Sequence, residues 1–418
     1  MKRTHDLSPP VVMLRSGHHG GLGIARSLGR LGIPVYSVDA TRWEPVFTSR
    51  YCRGRFLLDV ESLPPDQAVE RLRAIGRKVG AQPILMPTTD QACVWLAENA
   101  HALSPEFRFP AIDANLVYTL CDKSRMQELA CQHGVPIARS VTPRSKADVS
   151  RFLEEAAFPV VVKETGGGRL RSRAGASKFV VQTRHELFDL YERAADPENP
   201  NLMLQEFIPG VDWMFDGYFD SHSRCLFGMT GKKIRRFPAH TGVTSLGICL
   251  ANETVTRTTT EFMQAIGYRG ILDIGYRWDM RDGRYRVLDI NPRIGCTFRL
   301  FTSSNGMDVA RALYLDLTGQ PVPATEAANG RKWLVEDFDL FSALRCWREG
   351  GLSIGDWIRS LAGVDEAACF ALDDPLPFFV LGVFDCCELF RWTRGQAEVH
   401  HRVPPAAEPV PFSAIRRY

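Results

Sequence analysis

Short apolar runs punctuated by glycine and proline alternate with amphipathic stretches along the first part of the chain. Val11-Val12-Met13-Leu14, bounded by Pro10 and Gly17, reads as a buried strand. The stretch GHHGGLGIARSLGRLG from Gly17 reads as a glycine-rich turn entering a helix, and Pro34 to Asp39 as the next strand. Strand, helix and strand in that order predict a parallel sheet. A helical period over 66–79, a strand at Ile84-Leu85-Met86-Pro87 and a helix over 91–100 extend the unit. Thr88-Thr89-Asp90 offers the cap of that last helix.

Further on the pattern changes. A helix is predicted over 115–133, containing Cys121-Asp122-Lys123. An apolar strand, Phe158 to Lys163, runs into Glu164-Thr165-Gly166-Gly167-Gly168-Arg169, and a second such strand ends at Pro209-Gly210. Strands over 212–219 and 225–229 and a helix over 253–266 lead to a hairpin spanning 270–295. Ile271, Leu272 and Ile274 mark its first strand, and Tyr285, Val287, Leu288 and Ile290 its second. Asp282-Gly283 between them is a strong two-residue turn signal. A helix over 308–318 stops at Gly319. From about 331 the chain mixes Trp, Phe and Arg, includes Asp373-Asp374-Pro375-Leu376-Pro377, and ends in a proline-rich tail. The apolar run over 378–384 is far too short to span a bilayer. It reads as a helix buried on the core or as a contact for a partner or a membrane surface.

Composition sets bounds. The 418 residues suggest two to four domains, with a hydrophobic fraction of 45% that is ample for sizeable cores. A formal charge of +3 gives no argument for a nucleic-acid or membrane partner. Eleven cysteines without a CxxC pair indicate neither a zinc site nor a disulfide framework, and a reducing cytoplasm is the simplest setting. The start, MKRTHDLSPP, has no apolar core of a secretory signal.

The hairpin carries the most chemistry. Asp289 and Asn291 sit two apart on one strand and so project together, and a folded hairpin can lay Asp273 beside them. Two carboxylates and an amide oxygen suit a hard cation such as Mg2+, with phosphates completing its shell. Arg293 follows within reach of the same surface; a solvated hairpin with charged outer residues is the alternative. Lys163 followed by Gly166, Gly167 and Gly168 can hold an anion on backbone N–H groups, though no Walker lysine follows. Gly21-x-Gly23 with Asp39 is part of a dinucleotide fingerprint, but Arg26 occupies its third glycine position. His18 and His19 in this turn read as solvated or as substrate contacts, and Asp90 as a helix cap before a ligand. Lys232, Lys233, Arg235, Arg236 and His240 form either a solvated turn or a holder for anionic substrate.

In order, Lys123, Lys163 with its glycine loop, the segment from Gln205 to Asp212, and Asp273…Asp289-Ile290-Asn291-Pro292-Arg293 resemble the ATP-grasp superfamily. The last is that family's acid followed by E-x-N-P-R, with Asp289 in place of the usual Glu. The resemblance covers roughly 11–319, and the N-terminus and the DPLP tail are most similar to the ATP-dependent carboligases of carboxylate–amine/thiol ligase type. It implies an α/β chain: a Rossmann-like domain over 1–115, an ATP-grasp domain of two α+β lobes over 116–320 hinged near 205–212, and a C-terminal extension over 321–418. It implies ATP with Lys123 and Lys163 on its phosphates, Gly166, Gly167 and Gly168 covering them, and Gln205 or Glu206 at the adenine amino group. The backbone of Phe207 and Ile208 would read the ring edge and Asp212 the ribose. Mg2+ or Mn2+ would sit on Asp273, Asp289 and Asn291. Arg293 and Lys163 would stabilise transferring charge; Lys233, Arg235, His240 and Arg293 are substrate candidates. The implied activity is ADP-forming ligation of a small carboxylate, amino acids among them, to an amine through an acylphosphate, in a cytoplasmic monomer or homodimer. An ATP-grasp kinase or carboxylase and a nucleotide-binding protein without catalysis are the alternatives.

Overall fold

The computed structural model describes residues 6–382 except 43, 112, 166–168, 177, 197, 240–241 and 327. Strands β1 (Val11–Leu14), β2 (Val35–Asp39), β3 (Cys52–Leu57) and β4 (Ile84–Pro87) form a parallel sheet in the order β3-β2-β1-β4. β1 is buried along its whole length, which is why its run is unbroken rather than alternating. Val12 and Leu14 share a core with Leu72 of the helix Pro65–Val79 and with Trp95 and Leu96 of the helix Asp90–Glu98.

The glycine-rich stretch is helix rather than turn. The helix His18–Gly29 begins at once, and Gly20, Gly21 and Gly23 lie within it. A Cβ at Gly21 would collide with the Ser16 carbonyl, and one at Gly23 would come within 3.0 Å of both Phe298 and Arg299. Close packing, not turning, is what these glycines serve. Arg26, which breaks the dinucleotide fingerprint, is buried and bonds Asp374 at 3.0 Å and the Cys369 carbonyl at 2.9 Å. Asp39 is used locally, accepting from the Ser16 and Ala40 N–H groups.

Two largely antiparallel sheets carry the middle of the chain. β5 (Ser140–Val141), β6 (Val160–Glu164), β7 (Lys178–Val181) and β8 (Leu202–Glu206) make the smaller, ordered β5-β8-β6-β7. β9 (Gly210–Phe219), β10 (Cys225–Phe237), β11 (Val243–Cys249), β12 (Gly270–Asp279) and β13 (Tyr285–Asn291) belong to the larger, with β14 (Lys332–Leu334) and β15 (Val364–Ala367). Its order is β13-β12-β9-β10-β11-β14-β15. Successive side chains alternate between its faces. Met214, Tyr218 and Ile271 pack with Ile24, Leu28, Phe298 and Tyr314. Phe215, Phe219, Leu272 and Ile274 pack with Met126, Phe262 and Met263. The β12–β13 connection runs over 280–284, longer than the two-residue turn expected at Asp282-Gly283, and Gly283 within it takes φ +69°, in the left-handed region that glycine adopts without a Cβ clash.

Three elements differ from expectation. The helix expected over 115–133 is two, Ala114–Cys121 and Lys123–Gln132. Asp122 breaks it, since its side chain caps the second helix by accepting from the Ser124 and Arg125 N–H groups. The basic run 232–236 is no surface turn but part of β10, paired with β11 and, at Lys232, with β9 as well. The segment after 331 adds β14 and β15 to the large sheet and packs the helix Glu336–Arg348 against β10. No described helix is long and apolar enough to cross a membrane.

Candidate active site

β9, β12 and β13 lie side by side, and their register places the candidate metal ligands. Asp273 on β12 faces Asn291 on β13, and Gly275 faces Asp289. Residues facing each other across an antiparallel pair share a sheet face. Asp273, Asp289 and Asn291 therefore project together, and the Asn291 amide donates to Asp273 at 3.3 Å and to Asp289 at 3.4 Å. Glycine clears the space: a Cβ at Gly275 would strike the Asp289 carboxylate, and one at Gly295 the Asp273 carboxylate. Burial raises Asp273 to about 6 against the pull of Arg293, with Asp289 adding to the rise. Among the described residues no group of three His, Cys, Asp or Glu side chains is arranged to hold a metal unaided. The donor set is two carboxylates and an amide on one face, which fits a cation that brings phosphate oxygens with it.

Arg293 closes one end of this row. Its Nε donates to Asp90 at 2.7 Å, and its Nη2 to the Asn291 side-chain amide oxygen Oδ1 at 3.4 Å. Thr89, not Asp90, caps the helix Asp90–Glu98, which leaves the Asp90 carboxylate for Arg293. Burial disfavours the guanidinium charge, but Asp90 and Asp273 outweigh it and hold Arg293 above its ordinary range.

Cations gather at the other end. Lys163 on β6 faces Lys178 on β7. Burial lowers Lys163 to about 8, with Asp289 opposing and Lys123 assisting, and lowers Lys178 to about 7, with Lys163 assisting. Lys123, the first residue of its helix, donates to the Glu164 carbonyl and is also lowered by burial. Asp212 on β9 faces Arg277 on β12 and bonds it at 2.9 Å, while Arg236 reaches its other oxygen at 2.7 Å. Burial works against that carboxylate, yet Arg236, Arg277, Lys233 and Lys178 hold it at about 2. Arg277 lies 5.2 Å above the Phe207 ring.

Along the chain between the two antiparallel sheets, Gln205 is buried with its Nε2 lacking a partner. Glu206 is engaged, accepting from the Arg139 N–H at 2.9 Å and from Arg281 at 3.1 Å. Ile208 is buried.

The structure thus assembles Lys123, Lys163, Asp212, Asp273, Asp289, Asn291 and Arg293, with Lys233 close enough to act electrostatically on Asp212 and Asp273. Arg235 is not among them. Its guanidinium forks onto buried Asp339 at 2.8 and 2.9 Å and onto Ser360 at 2.8 Å. Gly166, Gly167, Gly168 and His240 lie outside the described residues. Lys178 and Arg277 escaped sequence reasoning, and Arg236 entered it only as one of the basic run. Arg277 carried a signal, since counting by twos from Asp273 puts it on the same face.

The fold is the ATP-grasp fold, with a parallel Rossmann-like sheet before it. The chain is similar to D-aspartate ligase of Enterococcus faecium (strain Aus0004), 26% identical over 244 residues that cover 54% of this chain and 57% of that one. The chain therefore spans little more than half the length of that relative. No family model matches the chain. Two solved structures share its fold. The L-amino acid ligase from Bacillus licheniformis has a TM-score of 0.56 at 17% identity, covering 76% of this chain and 75% of that one. The N5-carboxyaminoimidazole synthetase from Staphylococcus aureus, complexed with ADP, has 0.60 at 14%, covering 78% and 80%.

Proposed function

We propose that the protein is an ADP-forming ligase that joins a carboxylate to an amine. The observation that carries this is the grouping of Asp273, Asp289 and Asn291 on one sheet face, with half-buried Arg293 at one end and Lys123, Lys163 and Lys178 at the other. A nucleotide would lie with its phosphates along the lysines. Its base would sit at Gln205 to Ile208, where an unpartnered buried amide donor awaits an acceptor, and its ribose toward Asp212. The two-lobed division near 205–212 belongs to the same reading.

Asp273, Asp289 and Asn291 would hold Mg2+, which supplies charge neutralisation and alignment of the phosphates. The protein's own contribution is placement and fixed charge. A carboxylate oxygen attacks the γ-phosphorus, and the bond to ADP breaks. An amine nitrogen then attacks the acyl carbon, the C–O bond to phosphate breaks, and the amine gives up its proton. Lys163 and Arg293 flank this path. Asp90 orients Arg293, and Asp212 orients Arg236 and Arg277, so these cations meet developing negative charge without having to reorganise. The likeness to D-aspartate ligase and to the L-amino acid ligase fold supports amino acids as substrates.

The test is phosphate release from MgATP across a panel of amino acids and small acids, with mass spectrometry of the products. ADP formation that needs two substrates, with a product of their summed mass less water, is expected. ADP formation with a single acid would replace the proposal with a kinase, and AMP formation would overturn the acylphosphate route.

A further inference from the structure

A cavity of about 50 Å3 lies against Arg293. Leu85 and Met86 of β4, Ile271 of β12, and Leu96 and Ala97 of the helix Asp90–Glu98 line it. Arg293 is the one charged side chain among the described residues of its lining. The thiol there, Cys93, is spent on the Pro292 carbonyl at 3.0 Å. β4 ends at Pro87, also in the lining, and open α/β sheets meet their ligands at the carboxyl ends of their parallel strands.

The cavity adjoins the metal ligands. Ile271 stands two residues before Asp273 on β12, so the two share a face and lie roughly 7 Å apart along the strand. Arg293 reaches both places, since it lines the cavity and donates to Asn291 Oδ1 at 3.4 Å. Its Nε is held by Asp90 and its Nη1 by the Ile294 carbonyl at 3.2 Å. One N–H on each terminal nitrogen is thereby left for a carboxylate.

A cavity of this lining favours hydrocarbon over water, because water there finds too few polar partners. Resting on the ligase reading, we propose that the acid substrate is an amino acid whose aliphatic side chain, of roughly three or four carbons, fills the cavity while its carboxylate meets Arg293 beside the metal ligands. Aspartate fits this place poorly, because its second carboxylate would enter an apolar cavity whose one cation already holds the first. Alanine would leave the space empty.

The test is calorimetric titration of leucine, valine, alanine and aspartate, both enantiomers of each, into the full chain with MgADP. Leucine or valine should bind roughly tenfold or more tighter than alanine and aspartate, since a single methylene in such a pocket is worth about that much. Ala97→Leu puts a larger side chain into the cavity and should remove this advantage while leaving alanine and MgADP binding as in wild type. Leu96→Val enlarges the cavity instead and should shift preference from valine toward methionine, which guards against a misfolded first variant. Aspartate or alanine bound as tightly as leucine, or no binding by any of the four, would overturn the proposal. So would a folded Ala97→Leu protein with wild-type affinity for leucine. Phosphate release is read separately: leucine that binds as expected but drives no ADP formation with any amine would overturn the ligase reading and leave the cavity's ligand in place.

Discussion

Lys163 and Lys178 show what burial does to a single residue. Both lie below the ordinary lysine value of 10.5, at about 8 and about 7. Between those values and 10.5 the native chain has released protons that the unfolded chain still holds, so stability without nucleotide should rise with pH across that window. Phosphate favours the charged ammonium, so nucleotide binding should take up protons near pH 8 and weaken as pH rises from 7 to 9. Calorimetry of MgADP binding in buffers of different ionisation enthalpy checks this, and Lys163→Arg should flatten the dependence. Asp289 gives a second prediction. Changing partners of metal ligands typically costs 10–100-fold, so Asp289→Ala, which removes a ligand itself, should cost roughly a hundredfold or more in MgATP turnover. Its circular dichroism should match wild type, since the side chain faces the site and not the core. Full activity in that variant would sink the metal assignment.

At the level of elements, capping and close packing set where the charges stand. Asp122 ends one helix and starts the next, which puts Lys123 at a helix start beside β6. Asp122→Ala should cost about 1 kcal/mol of stability and also weaken nucleotide binding, because the cap and the lysine are neighbours. An urea midpoint and an ADP titration on the same protein would report both. The helix His18–Gly29 makes the converse point. Glycine to alanine inside a helix ordinarily gains up to about 1 kcal/mol. Gly21→Ala should instead destabilise by about 1–3 kcal/mol, because the added methyl meets the Ser16 backbone. A variant as stable as wild type in urea would mean that the backbone gives way there at no cost.

Across the whole molecule, buried ion pairs join parts far apart in sequence. Arg26 near the start meets Asp374, which also accepts from Ser49 and from the Arg50 N–H. Beside it, at the surface, Arg30 and Tyr51 meet Asp373. Arg235 in the large sheet meets Asp339. The described part of the chain after 331 is therefore built into the fold, as strands at the sheet's edge and as counter-charges for buried guanidiniums. Asp374→Ala strands Arg26 without its carboxylate and should cost about 3–5 kcal/mol, read from the urea midpoint. A loss of less than 1 kcal/mol would show that the backbone carbonyls around Arg26 suffice.

The parallel sheet, the β12–β13 hairpin and the Lys163 strand were legible from the amino-acid order because each is set by local signals. Apolar runs, a turn dipeptide and a period of two act over a dozen residues, and Asp289 with Asn291 needs only that period. The extent of β10 was not legible, because four cations in five residues look the same on a solvated turn as on a strand whose neighbours supply counter-charges. Arg26 read as a broken fingerprint, and its partner stands 348 residues away. Tertiary structure alone decided these, because the free energy of a buried charge depends on what is folded against it, and no stretch of sequence carries that information by itself.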